Sequence, residues 1–81
     1  MAPEESVIKP GYAVVIERAE RNYSAYVPDL PGCVASGTTI AEVRREIREA
    51  IEFHLDRLRE EGLPLPESTS RVEYVQAHEA L

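Results

Sequence analysis

The sequence predicts an α+β domain, a two-layer sandwich with the element order β-β-β-α-β. Three features predict it. Three short runs rich in β-branched and aromatic residues come first, separated by a polar loop and a Pro-Gly turn. A long amphipathic run with a start and a stop signal comes next. A fourth short apolar run closes the order, so that one crossover helix joins an antiparallel beginning to a last strand.

The first strand is expected over Tyr12-Ala13-Val14-Val15-Ile16-Glu17. Arg18 to Asn22 is polar and makes a hairpin loop. Tyr23-Ser24-Ala25-Tyr26-Val27 is the second strand, ended by Pro28. Pro31-Gly32 marks a turn, because proline presets φ at the first central position and glycine accepts positive φ at the second. Cys33 to Ser36 is the third strand, closed by Gly37.

Thr39 with Glu42 three residues later is a capping-box pattern. Ile40, Val43, Ile47, Ala50, Ile51, Leu55 and Leu58 then recur at spacings that form one stripe on a helix. Gly62 stands where a C-terminal cap glycine belongs, and Pro64 prevents the helix from resuming. The helix should run about six turns, roughly 33 Å. Val72-Glu73-Tyr74-Val75 reads as the fourth strand. Residues 1–10 are expected to be a flexible N-terminal arm, 11–76 the folded domain and 77–81 a C-terminal tail.

The chain has 81 residues, with 9 Lys and Arg against 15 Asp and Glu, for a net charge of −6. Nucleic-acid binding needs a basic footprint to displace counterions, so direct nucleic-acid binding is not expected. An acidic surface suits solubility or a basic partner. Hydrophobic residues at 43% are enough for a core. One cysteine excludes an internal disulfide. No run reaches the length of a membrane span, and the first ten residues lack the apolar region of a signal peptide. A cytoplasmic protein is therefore expected.

Small cores are marginal, which points to a homo-oligomer, a dimer or tetramer. The first strand also carries apolar residues on both faces, and one helix covers one face only. Ala13 and Val15 are thus candidates for an interface between copies. So is Phe53, about 100° off the helix stripe. Ordinary exposure of each is the alternative.

Cys33, His54 and His78 show no metal spacing, and no cofactor motif is present. Cys33 reads as a buried thiol, although a pair with His54 is conceivable. His54 falls inside the apolar stripe, either as a core-edge histidine or as a titrating group in an interface. The many helix carboxylates are interleaved with arginines, as in the Arg48–Glu52 and Arg57–Glu61 pairs, and form a solvated face. Asp29, in the stiff Pro28-Asp29-Leu30-Pro31-Gly32 loop, is expected to accept backbone N–H bonds within its turn.

The runs Tyr12 to Glu17, Tyr23-Ser24-Ala25-Tyr26-Val27-Pro28-Asp29-Leu30-Pro31-Gly32-Cys33 and Gly37-Thr38-Thr39 with Glu42 resemble the HicB-like antitoxins. The helix and Gly62-Leu63-Pro64-Leu65-Pro66 continue the likeness, which covers residues 11–76. The resemblance implies a partial ribonuclease-H-like fold without the nuclease's catalytic carboxylates. It implies a binding role, in which such proteins neutralise HicA, a small basic mRNA-cleaving toxin, by covering its active surface. Many members carry a further C-terminal DNA-binding module; the chain ends at Leu81 without one, so promoter binding is not expected.

A binding module of this kind is the leading expectation. Tyr23, Tyr26 and Asp29, together with exposed acidic helix positions, are the candidate partner contacts. Two alternatives stand beside it. One is a solitary HicB-like oligomer with an unknown partner. The other is a vestigial ribonuclease-H-like hydrolase, which would need a third carboxylate to converge with Glu17 and Asp29.

Overall fold

Three four-residue strands, β1 (Val15–Arg18), β2 (Tyr23–Tyr26) and β3 (Val34–Gly37), make an antiparallel sheet in the order β1-β2-β3. One 21-residue helix, α1 (Ile40–Glu60), packs on it. This computed structural model describes residues 11–78. The expected arm over residues 1–10 and the last three residues of the expected tail lie outside the described residues.

The register decides what each face carries. Ile16 pairs with Ala25 and Ala25 with Ala35, while Val15 pairs with Tyr26 and Tyr26 with Val34. Successive strand residues point to opposite sides, so these two rows face opposite ways. The Ile16 row faces α1. Ala25, Val27, Leu30, Cys33, Val43 and Ile47 are the buried core, and Tyr12, Val14, Ile16, Tyr23, Ala35, Ala50, Ile51 and Leu55 pack around it.

The loop from β2 to β3 belongs to that core. The Cys33 N–H donates to the Leu30 carbonyl at 3.0 Å across Pro31 and Gly32, and Gly32 sits at φ +86. This is a type II turn, as the Pro-Gly pair requires. It drives Leu30 inward until its side chain is fully enclosed.

Two residues, Thr38 and Thr39, separate β3 from α1. The Thr39 hydroxyl oxygen accepts from the Glu42 N–H at 3.0 Å. The Glu42 carboxylate reaches one residue further back than a capping box places it. It accepts from the Thr38 hydroxyl at 2.7 Å and the Thr38 N–H at 2.6 Å. Those two donors hold the Glu42 carboxyl below its ordinary range. At the other end the Leu63 N–H bonds the Leu58 carbonyl and the Gly62 N–H bonds the Arg59 carbonyl. That pair is a Schellman cap. The expected Arg57–Glu61 ion pair forms at 3.7 Å on the exposed surface.

Gly37 fixes where the helix lies. A Cβ there would stand 2.7 Å from the Val43 backbone nitrogen, so only glycine lets helix and strand approach this closely. α1 therefore rests on β3, reaches β2 and leaves β1 largely uncovered. It also overhangs the sheet, because 21 residues of helix span about 32 Å and four residues of strand about 13 Å. Val43 and Ile47 are consequently its buried residues, while Ile40 at the other margin of the stripe is half exposed.

The expected last strand does not form. Val72, Tyr74 and Val75 are 52%, 95% and 83% exposed and belong to no strand, so the described order is β-β-β-α rather than β-β-β-α-β. A run with strand propensity becomes a strand only where a neighbour supplies ladder partners, and this run has none among the described residues. The first strand is also shorter than expected, because β2 offers partners only to Val15–Arg18.

Replacing Gly32 by valine forces a β-branched residue into left-handed φ and should cost about 1–2 kcal/mol. Ser36→Ala, on the exposed face of β3, should stay within about 0.5 kcal/mol of the parent. Chemical denaturation midpoints compare the two, and equal midpoints contradict the turn.

Candidate functional site

The face of the sheet turned away from α1 carries a cross-strand row, Val15, Tyr26 and Val34. Tyr26 is 42% exposed and Val34 63%. Ala13 continues the Val15 side of this face by the two-residue period and is half-buried, as Val15 is. The next row, Glu17, Ser24 and Ser36, is polar and exposed. An apolar row with a polar margin is the pattern of an interaction surface. Tyr26 adds a ring with a hydroxyl at its tip, which suits a half-wet contact.

Tyr23 lies on the other side of the sheet. It is three residues from Tyr26, so its ring faces α1 and packs against the core. The structure thus brings Tyr26 together with Val15 and Ala13, and separates it from Tyr23. Phe53 is 66% exposed on α1, in the layer opposite the open face. Ala13 and Val15 therefore share no surface with it.

Asp29 does not bond within its own turn. Its Oδ2 accepts the N–H groups of Thr69 and Ser70, both at 2.9 Å. Its Oδ1 accepts the Ser70 hydroxyl at 2.8 Å and the Thr69 hydroxyl at 3.2 Å. The Ser70 donors first, and then those of Thr69, hold the Asp29 carboxyl below the usual carboxylate range. Two further bonds fasten the same stretch. The Tyr12 hydroxyl donates to the Pro66 carbonyl at 2.5 Å, and the Ser68 hydroxyl donates to the Gly11 carbonyl. The chain after α1 is thereby strapped to the residues that lead into β1 and to the β2–β3 loop. Sequence reasoning missed Tyr12, Ser68, Thr69 and Ser70 in this role. The hydroxyl-rich Glu67-Ser68-Thr69-Ser70 run is the signal that points to them.

Beneath α1 the uncovered residues that lead into β1 open a groove of about 610 Å³. Tyr12 and Val14 form one wall, and Ile47, Ile51 and Leu55 the other, with Arg44, Arg48 and Glu52 at the rim. The sequence suggests a surface ion pair for Arg48 and Glu52; both instead line this groove.

Cys33 is enclosed in the core, and burial pushes its thiol up. A buried, protonated thiol is a poor nucleophile. His54 is half-buried on α1 and His78 exposed. Glu17 stands on the open face, and Asp29 spends both carboxylate oxygens on the donors of Thr69 and Ser70. Among the described residues no group of three or more His, Cys, Asp or Glu side chains could hold a metal ion. No helix among them is long and apolar enough to cross a membrane.

Residues 12–81 match the family described as "HicB_like antitoxin of bacterial toxin-antitoxin system". An uncharacterised 14.9 kDa protein of Haemophilus phage HP1 is 35% identical over 68 residues, 84% of this chain and 51% of that protein. A UPF0150 protein of Helicobacter pylori is 47% identical over 49 residues, 60% of this chain and 68% of that protein. Among solved structures, a chain of a HicA3 and HicB3 toxin–antitoxin complex is 32% identical with a TM-score of 0.64, over 74% of this chain and 70% of that one. The chain thus spans about half the length of the phage relative.

The strap should loosen when Asp29 loses its charge. Asp29→Asn leaves one carbonyl oxygen where two carboxylate oxygens took four donors, so the Thr69 and Ser70 amides should exchange faster. In the parent, a lowered pKa means the contribution of Asp29 is complete above the ordinary value of 3.8. It disappears only as pH falls through the lower folded value. Amide exchange by NMR across that range checks both; unchanged exchange in the variant contradicts the strap.

Proposed function

The chain belongs to the HicB-like antitoxin family, and on that premise we propose that it is an antitoxin-type binding module. It neutralises a small basic HicA-like mRNA-cleaving toxin by covering the toxin's active surface. The observation that carries this reading is the likeness to a chain of the HicA3 and HicB3 complex, at 32% identity over 74% of this chain.

Two physical features support it. The open sheet face offers an apolar row with Tyr26 as an aromatic anchor, the residue type that dominates interface energetics. The net charge of −6 attracts a basic partner and speeds encounter, an effect that weakens with salt. Ala13 and Val15 belong to the same toxin-facing surface in this reading. Asp29 acts through the strap it anchors, and Tyr23 supports the sheet from behind. The finer fold assignment, a partial ribonuclease-H-like sheet, is part of the same proposal. So are a cytoplasmic location, where mRNA is cleaved, and a role without catalysis of its own.

Co-expression with a HicA-like toxin tests the function. The parent chain should restore growth and co-purify with the toxin. Tyr26→Ala should weaken the complex by on the order of 30-fold, the scale of a hot-spot truncation of about 2 kcal/mol. Phe53→Ala, on the opposite layer, should change affinity little. Affinity should also fall between about 50 mM and about 500 mM salt, as the screening length shortens from roughly 14 to 4 Å. Persistent toxicity, or a Tyr26→Ala chain that binds like the parent, contradicts the assignment.

A further inference from the structure

We infer that residues 71–76 are an edge strand for a second copy of this chain. They add to the free side of β1 in that copy, and the exchange is reciprocal. The segment has the composition of a strand without being one in this chain. Arg71 Nε meets Glu73 Oε2 at 2.9 Å, so these two side chains lie on one side of the backbone, as residues two apart do in a strand. No backbone hydrogen bond ties residues 71–76 to the other described residues. Tyr74 and Val75, at 95% and 83% exposure, meet water along nearly their whole surface.

The place for such a strand is beside β1. That strand pairs with β2 alone among the described strands, so its other edge is open. α1 is seated over β3 and β2, so the helix-facing side of the chain leading into β1 is open too, and Val14 there forms a groove with Ile47, Ile51 and Leu55. A strand laid there sends alternate side chains to opposite faces. Val72 and Tyr74 then enter the groove, where Arg44, Arg48 and Glu52 offer the tyrosine hydroxyl polar partners. Val75 lies on the other face and lengthens the apolar row of Val15, Tyr26 and Val34 to a fourth strand. The Arg71–Glu73 pair stays with Val75, toward solvent.

The occupant is a second copy because the strap decides where this segment leaves. Asp29 clamps Thr69 and Ser70, and from that point the chain stands away from its own groove with Tyr74 exposed. Two copies carry two segments and two grooves, so a two-fold exchange satisfies all four and closes on itself. It also protects an edge that would otherwise invite aggregation. Burying both Tyr74 rings removes about 300–500 Å² from water. The backbone ladder and the two Val72 side chains add to this, toward the roughly 1,200 Å² of a stable interface.

Sedimentation and amide exchange on the full chain at rising concentration test the inference. The expected result is a two-chain mass above micromolar concentration, with amides of residues 72–76 and of β1 slowing together as the dimer forms. Val75→Pro removes a ladder donor and should give a single-chain mass, with the β2–β3 amides still protected as proof of folding. Tyr74→Ser should weaken the dimer at least tenfold. Three results would overturn the inference. They are a single-chain mass at every concentration, a dimer that survives both substitutions, and slowed residue 72–76 amides in a single-chain species, which would place the segment on its own β1.

Discussion

The approach of α1 to β3 at Gly37 is the contact on which the rest of the molecule depends. Two residues separate strand from helix, so the chain cannot carry α1 far from β3 before it begins. Absence of a Cβ at Gly37 lets the Val43 backbone sit against the strand, and Val43 is then fully enclosed. Every large feature derives from that seat. The helix closes one face of the sheet over β3 and β2. The far face stays open along Val15, Tyr26 and Val34, and the chain leading into β1 keeps a groove at its helix side.

The strap answers the opposite end of the same problem. A short sheet under a long helix leaves the first strand weakly held, since β1 is an edge strand with little helix above it. Tyr12, Gly11 and Asp29 recover contacts there by bonding to Pro66, Ser68, Thr69 and Ser70. These bonds join segments 40 or more residues apart. They turn the chain after the helix into part of the domain and aim residues 71–76 outward. An acidic residue in a binding protein invites a reading as a partner contact; here the carboxylate is spent on its own fold.

Local signals in the sequence were legible where local physics decides the outcome. The stripe from Ile40 to Leu58, the Thr39 cap and the glycine at position 62 located α1 within a residue or two. Pro31 and Gly32 gave the turn. What escaped were contacts between distant segments. Nothing near Asp29 announces donors at Thr69 and Ser70, and Leu30 looks like an exposed loop residue until the type II turn drives it inward. Strand periodicity puts Tyr23 and Tyr26 on opposite faces, a distinction that their shared nearness to a loop obscures. Val72 to Val75 has the composition of a strand, and composition cannot supply the neighbour that a strand needs. The groove depends on the lateral position of the helix, which no periodicity reports.

A HicB-like antitoxin must present a surface that its own fold does not consume. In the function proposed for this chain that surface is the open sheet face, whose apolar row α1 does not cover, and the net acidic charge would draw a basic toxin toward it. Hydroxyl-radical footprinting of the chain, alone and saturated with a HicA-like toxin, tests this most directly, because Tyr26 and Phe53 are both exposed aromatic reporters on opposite layers. Strong protection of Tyr26 with Phe53 unchanged is the result this account predicts. Protection of Phe53 with Tyr26 still fully oxidised would move the toxin to the helical layer and contradict it.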